Sequence, residues 1–237
     1  MIDDTLFVIP ARGGSKGLPH KNILPVGGRP LIAYTLDAVR SITADTNICV
    51  STDDTAIQAV VEAEGLKLPF LRPAELATDT AGSQAVLLHA FHYYTHVLHR
   101  HYTRICLLQP TSPLRTATHI KGVISLWEDT LDMVVSVRES ADNPYFNLFE
   151  EDTTGYLIHS KESHYIRRQD APPVWAYNGA IYLFNPGSLQ EKPISAFTRI
   201  KKYVMDLESS QDVDTWLDLE CVKAILVRKD QENSNKL

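Results

Sequence analysis

The sequence is short of cysteine, of positive charge and of long apolar runs, and each shortage excludes something. Cys49, Cys106 and Cys221 are the only three cysteines in 237 residues, an odd number without Cys-x-x-Cys spacing, which argues against a disulfide framework. All three sit in apolar stretches and are expected to be buried free thiols. With 23 basic and 29 acidic side chains the net charge is −6, whereas a general nucleic-acid binder presents a basic surface. No stretch approaches the about 20 consecutive apolar residues that span a bilayer. The opening MIDDTLFVIPARGG puts acids where a secretory signal carries bases, so a cytoplasmic location without membrane or nucleic-acid partners is expected. Internal repeats and low-complexity segments are absent as well.

At 44% hydrophobic and 22% charged residues the composition is that of a globular domain, and 237 residues fit one α/β domain. Strand-like and helix-like segments alternate through the first half, the order of a doubly wound α/β sheet with helices on both faces. Strands are expected at Leu6 to Pro10, Asn47 to Ser51, Ile105 to Gln109, Met133 to Val137, Ala180 to Phe184 and Tyr203 to Met205. Pro30 suits a first helical turn, with Leu31, Tyr34, Thr35, Ala38 and Ile42 following at helical spacing. Asp53 or Asp54 can cap a second helix that turns Ile57, Val60 and Val61 inward, and Ile120 to Trp127 marks another. A closing helix over Val213 to Val227 would bury Val213, Leu217, Cys221 and Ala224 as one stripe. Residues 138–176, with Asn143-Pro144, Gly155 and Pro172-Pro173, read as an insertion of hairpin-like pieces within a single domain 1–237. His89, His92, His96 and His99 recur at helical spacing opposite Leu87, Phe91, Tyr94 and Leu98. They are expected to face solvent or a neighbouring subunit rather than to hold a functional metal.

Directly after the first strand comes Ala11-Arg12-Gly13-Gly14-Ser15-Lys16-Gly17-Leu18-Pro19-His20-Lys21-Asn22. Its glycines let the backbone approach a ligand closely. Backbone N–H groups and Ser15 can donate to phosphate oxygens, and Arg12, Lys16 and Lys21 answer the roughly four negative charges of a nucleoside triphosphate. The spacing matches neither a Walker loop nor Gly-x-Gly-x-x-Gly, which disfavours P-loop kinases and dinucleotide binders. Asp212 and Asp214 stand two apart before the closing helix. In an extended lead-in both point the same way and can converge on one Mg²⁺, or they can cap the helix.

PARGGSKGLPHKN resembles the N-terminal motif of the acylneuraminate cytidylyltransferases. STDD (51–54), RPAELATDTAGS (72–83), LLQPTSPLR (107–115), RRQD (167–170), NGAIY (178–182) and QDVDTWLDL (211–219) follow in that family's order. The resemblance implies a Rossmann-like nucleotidyltransferase sheet, a homodimer formed through the 138–176 insertion, and Mg²⁺ as cofactor. It further implies transfer of CMP from CTP to the anomeric hydroxyl of a sialic-acid-type nonulosonic acid, with release of pyrophosphate. By the same resemblance Arg12, Lys16, Lys21 and Asp214 serve catalysis, and Arg12, Gly13, Gly14, Ser15, Lys21, Asn22, Arg72 and Ser83 bind the nucleotide. Gln109, Asn178 and Arg168 fall to the sugar, with Arg168 reaching from one subunit into its partner's site, and Asp212 and Asp214 to the metal. Some bacterial sialate enzymes carry a lysine in the insertion and an arginine before the Asn-Gly segment. The counterparts here are Phe146 and Ala176, which leaves legionaminic, pseudaminic and deaminated acids open beside N-acetylneuraminate. A 3-deoxy-manno-octulosonate enzyme and a non-catalytic nucleotide-binding protein are the rival readings. RPAELA and RRQD…NGAIY speak against the first, and the full set of loop cations and late aspartates against the second.

Overall fold

Leu6, Phe7, Val8 and Ile9 form an uninterrupted apolar run because the strand they make is covered on both faces. The computed structural model describes residues 1–14, 17–78 and 80–234. In it the run lies in β1 (Thr5–Pro10), with Phe7 and Ile9 in one core cluster and Leu6 and Val8 in another, as in parallel sheets packed between helices. The other strands are β2 (Pro25–Val26), β3 (Arg29–Pro30), β4 (Ile48–Ser51), β5 (Arg104–Leu108), β6 (Met133–Glu139), β7 (Phe149–Glu151), β8 (Leu157–His159), β9 (Trp175–Phe184) and β10 (Ile200–Val204). The helices are α1 (Leu31–Arg40), α2 (Thr55–Ala63), α3 (Ser83–His92), α4 (Ala117–Ser125), α5 (Pro186–Glu191) and α6 (Trp216–Ser234).

Six strands form the central sheet in the order β10-β6-β9-β5-β1-β4. β1 runs parallel to β4 and β5, and β10 parallel to β6, whereas β9 is antiparallel to both its neighbours. The exception follows from the connection. After β6 the chain makes an excursion that carries the separate β7–β8 ribbon and returns beside the strand it left, which yields an antiparallel partner. Parallel neighbours need a crossover, usually helical. α1, α2 and α4 cover one face through Ile32, Leu36, Ile57, Val61, Ile120 and Val123, and α3 and α5 cover the other through Leu87, Ala90, Phe91 and Leu189. A third cluster joins the two ends of the chain: Leu18 and Val26 pack with Leu31, Leu114, Val213, Leu219 and Val222. This cluster brings the first loop beside the lead-in to α6.

Most strand and helix limits differ from the sequence expectation by up to three residues, but β9 begins at Trp175 rather than Ala180 and α6 runs on to Ser234 rather than Val227. Three expectations are corrected. First, α6 starts at Trp216, and the expected stripe points outward: Leu217 is 73% exposed, and Cys221 and Ala224 are also exposed. The reason is a capping box that sets the start and phase of the helix. Thr215 Oγ1 accepts from Asp218 N (3.3 Å) while the Asp218 carboxylate accepts from Thr215 N (2.8 Å). Leu219 and Val222 face inward instead, and Val213 is buried outside the helix. Second, Cys49 and Cys106 are buried but Cys221 is not. Burial pushes the Cys49 and Cys106 thiols up to about 12. Third, α3 passes into a π turn over Tyr93–Val97, which breaks the 3.6-residue phase. Leu87, Phe91 and Tyr94 stay inward, but Leu98 is exposed. His92, His96 and His99 are exposed as well, while His89 is half-buried edge-on to Phe70, 4.8 Å between ring centroids. Among the described residues no helix is long and apolar enough to cross a membrane.

Candidate active site

The loop after β1 is held open by its neighbours on β4 and α6. Ala11 N donates to the Ser51 carbonyl at the end of β4 (2.9 Å), and Asn22 Nδ2 donates to the Arg12 carbonyl (3.0 Å). Gly13 N donates to Asp53 Oδ1 (3.2 Å). Two of the glycines are needed for close approach: a Cβ on Gly13 would lie 2.4 Å from Asp54 Oδ2, and one on Gly17 would lie 2.6 Å from the Asp214 carbonyl oxygen. Around Gly14 the space is open. Ser15 and Lys16, both expected to meet phosphate, lie outside the described residues.

Across from this loop the lead-in to α6 is pinned by the turn after β5. Val213 N donates to the Thr111 carbonyl (2.8 Å), and the buried Val213 side chain leaves its flanking aspartates on the groove side. Ser112 Oγ donates to Asp212 Oδ1 (3.2 Å). Burial raises the Asp212 carboxyl above its ordinary range, and the charge of Asp214 adds to this, against hydrogen bonds from Thr111 and Ser112 and the charge of Lys21. Lys21 Nζ lies 2.7 Å from Asp214 Oδ1, so the first loop and the last segment touch through a cation. Two carboxylates beside a basic loop form the donor set that Mg²⁺ takes together with phosphate oxygens and water. Among the described residues no group of three or more His, Cys, Asp or Glu side chains is arranged to hold a metal; Asp212 and Asp214 face the groove as a pair.

The two segments open onto one groove at the carboxyl ends of β1 and β5, where ligands of open α/β sheets bind. Its two cavities, about 430 and about 230 Å³, share Pro10, Arg12 and Gln109. The larger is walled by Gly17, Lys21, Asn22, Thr111, Asp212 and Asp214. Arg72, Ser83, Val86 and Leu107 help to wall the smaller. Arg72 is buried, with Nε donating to Ser51 Oγ (3.0 Å) and a terminal N–H to the Ser51 carbonyl. Burial pushes its guanidinium down from the ordinary range. Ser83 is the first residue of α3, with Gly82 in the capping position.

Of the described residues expected at the site, Arg12, Lys21, Asn22, Arg72, Ser83, Gln109, Asp212 and Asp214 line these cavities, Gly13 and Gly14 follow Arg12 in the loop without lining either, and Asn178 and Arg168 lie elsewhere. Asn178 is 5% exposed and its amide is used inside the molecule. Oδ1 accepts from Ser136 Oγ (2.6 Å) and Ala180 N (3.2 Å), and Nδ2 donates to Ser210 Oγ (2.9 Å). It braces β9 against β6 rather than offering its amide to a sugar. Arg168 is exposed and lines a different cavity with Asn143 and Trp175. Sequence reasoning missed Asp53 as the anchor of Gly13, although STDD was in view, because it weighed Asp53 only as a helix cap. Thr111 and Ser112 were missed because PTSPLR carries no local signal of what lies opposite.

A sequence profile for the family described as cytidylyltransferase matches residues 6–232. The chain is similar to an N-acylneuraminate cytidylyltransferase of Escherichia coli O18:K1:H7, 34% identical over 230 residues that make up 96% of this chain and 53% of that protein. It thus spans about half the length of that relative. It is also similar to a CMP-N,N'-diacetyllegionaminic acid synthase of Legionella pneumophila, 31% identical over 215 residues that cover 90% of this chain and 92% of that one. Among solved structures it resembles a CMP:2-keto-3-deoxy-manno-octonic acid synthetase complexed with CTP. The TM-score is 0.69, with 95% of this chain and 99% of that one covered, and at 21% identity the likeness is one of fold. Because the profile runs from β1 into α6 and so takes in nearly every element described, the chain belongs to the cytidylyltransferase family of nucleotidyltransferase enzymes.

Proposed function

We propose that the chain transfers CMP from CTP to the anomeric hydroxyl of a nonulosonic acid of the sialic type. The carrying observation is the 2.7 Å contact between Lys21 and Asp214, which puts a phosphate-binding cation and a candidate metal ligand on one groove. The anomeric oxygen attacks the α-phosphorus, the bond from that phosphorus to the bridging oxygen of the β-phosphate breaks, and pyrophosphate leaves as the hydroxyl proton is lost. Arg12 and Lys21 offset the charge of the triphosphate, and the Gly13–Gly14 backbone lets it approach closely. The Gly17 contact holds this loop against Asp214, so that positioning supplies much of the rate. Asp212 and Asp214 would hold Mg²⁺, which when bound supplies charge neutralisation at the phosphate oxygens. Lys21 lines the same cavity and would pair with the phosphates were a metal to occupy Asp214. Gln109, at the junction of the two cavities, can both donate to and accept from a sugar hydroxyl or carboxylate.

Names of relatives support the sugar class: one acts on an N-acylneuraminate and another makes CMP-N,N'-diacetyllegionaminic acid. A homodimer through the 138–176 insertion accords with its exposed apolar side chains, of which Tyr156 is 73%, Leu157 70% and Ile166 90% exposed. In such a dimer Arg168 is the residue proposed to reach the partner's groove. Three free thiols suit the reducing cytoplasm. The test is pyrophosphate release from CTP across a panel of nine- and eight-carbon keto-sugar acids, with and without Mg²⁺. Release with a nonulosonic acid, dependent on Mg²⁺, is expected. Turnover confined to the eight-carbon acid, or CTP binding without turnover, would reject the reading.

A further inference from the structure

Arg115 closes the PTSPLR segment, and the site built above makes no use of it. It is only 2% exposed. Nη1 donates to the carbonyls of Gln109 (3.0 Å) and Ala180 (2.9 Å), and Nη2 donates to Thr35 Oγ1 (2.6 Å). All three acceptors are neutral, and Nε has no partner among the described residues. Burial pushes the guanidinium down to about 10, with the charge of Asp212 acting in the opposite sense, so it remains charged at neutral pH. A buried cation bound only to neutral oxygens is an expensive way to fill space, and an apolar side chain of similar volume is often as stable or more so. The two carbonyls it holds lie side by side at the end of the β5–β9 pairing, one residue beyond the Leu108–Ile181 pair, and Thr35 stands on α1. Gln109 stands where the two cavities join. Ala180 follows Gly179, whose left-handed φ of 77° suits glycine and which lies beside Asp212: a Cβ there would be in ordinary contact with Asp212 Oδ2, 3.5 Å away.

We infer that Arg115 is a positioning residue for CMP transfer. Its planar guanidinium holds the Gln109 and Ala180 carbonyls on Nη1 and Thr35 of α1 on Nη2, and so fixes where the end of β5 and the Gly179 segment of β9 lie beside Asp212. The inference rests on the proposed function for its kinetic consequence, but not for its structural one. Lysine keeps the charge but has one nitrogen in place of two, so it cannot hold the two carbonyls and Thr35 at the separate positions that Nη1 and Nη2 take. Displacements near 1 Å can cost about a hundredfold in rate.

The experiment compares wild type, Arg115→Lys and Thr35→Val. For each, kcat and KM for the sugar acid, the CTP dissociation constant without sugar, and hydrogen exchange by peptide are measured. In Arg115→Lys, kcat/KM for the sugar acid is expected to fall by about 10- to 100-fold while CTP affinity is kept. Exchange should accelerate at 109–112 and 179–181 and stay as in wild type at 48–51. Thr35→Val keeps both carbonyl contacts and should show the same pattern at smaller amplitude; it carries the test alone if Arg115→Lys does not fold. A lowered Tm with wild-type kinetics and wild-type exchange in both segments would overturn the inference. Should the wild type transfer CMP to no acid, the proposed function fails, and Arg115 stands or falls on the exchange data.

Discussion

Gly17→Ala tests how closely the first loop must lie against the last segment. The added Cβ would sit 2.6 Å from the Asp214 carbonyl oxygen, where real Cβ contacts stay beyond 3.0 Å. The loop or the lead-in to α6 must therefore retreat by at least 3.0 − 2.6 = 0.4 Å. Forced overpacking costs about 1–3 kcal/mol, and loss of glycine's unfolded-state freedom returns about 0.4–1 kcal/mol. A net cost of about 1–2 kcal/mol at about 2–4 °C per kcal/mol for a chain of this size lowers Tm by about 2–8 °C. The loss of turnover should exceed the loss of stability if, as proposed, the loop cations and Asp214 flank the reacting centre; a fall of about 10-fold or more in kcat is then expected. Pyrophosphate release at saturating substrate and a thermal melt of the apo protein read the two effects. Gly14→Ala, whose Cβ would meet nothing within 4 Å, should melt with the wild type. If Gly17→Ala keeps wild-type Tm and kcat, the close approach of the two segments is not what the site depends on.

The remaining predictions concern charge and exposure. Asp212 has a raised pKa, so its ionised form is disfavoured in the folded protein, and protonation as pH falls through that value stabilises the apo fold relative to the unfolded chain. Asp212→Asn is therefore expected to keep or raise the apo Tm at neutral pH while losing transfer activity, and wild-type activity should decline on the acid side at a pH above the ordinary carboxylate range; a large drop in Tm would contradict this. Asp132 is the opposite case. Burial alone would raise its carboxyl, but the backbone N–H of Arg199, Ser188 Oγ (2.8 Å), Lys192 Nζ (3.0 Å) and the N–H of Thr198 hold it well below the usual range. The stability it contributes is present above the unfolded carboxylate pKa and is lost as pH falls through the folded value. Asp132→Asn should cost about 3–5 kcal/mol, a fall of about 6–20 °C in a thermal melt, and wild-type stability at neutral pH would be the contrary result. Finally, thiol titration of native protein should find Cys221 reacting promptly, with Cys49 and Cys106 protected until unfolding.

Much of the sheet was legible in the sequence because strands covered on both faces are written as unbroken apolar runs, as in Leu6–Ile9 and Ile105–Leu108. That the loop after β1 borders the groove was legible for a different reason: glycines and three cations directly after a core strand have few other uses, and Arg12, Lys21 and Asn22 line the groove. What failed depended on phase. Counting apolar residues from Val213 through the Thr215–Asp218 box gave α6 the wrong inner face, although the Thr-x-x-Asp signal was present. Likewise the π turn at Tyr93–Val97 has no marker in the apolar spacing, so Leu98 was placed inward. Asn178 shows the limit of carrying a role over by motif, since the sequence does not say that Ser136 and Ser210 lie within reach of its amide. Contacts such as Gly13 to Asp53 and Val213 to Thr111 join segments far apart in the chain, and only the fold brings them together.

The most direct test of the shared groove is a crystal structure with CTP and Mn²⁺, with the metal located by its anomalous signal. One metal peak bounded by Asp212 and Asp214 is expected, with triphosphate density running from it along Arg12 to Lys21. A nucleotide bound away from that loop, or a metal held by other side chains, would contradict it.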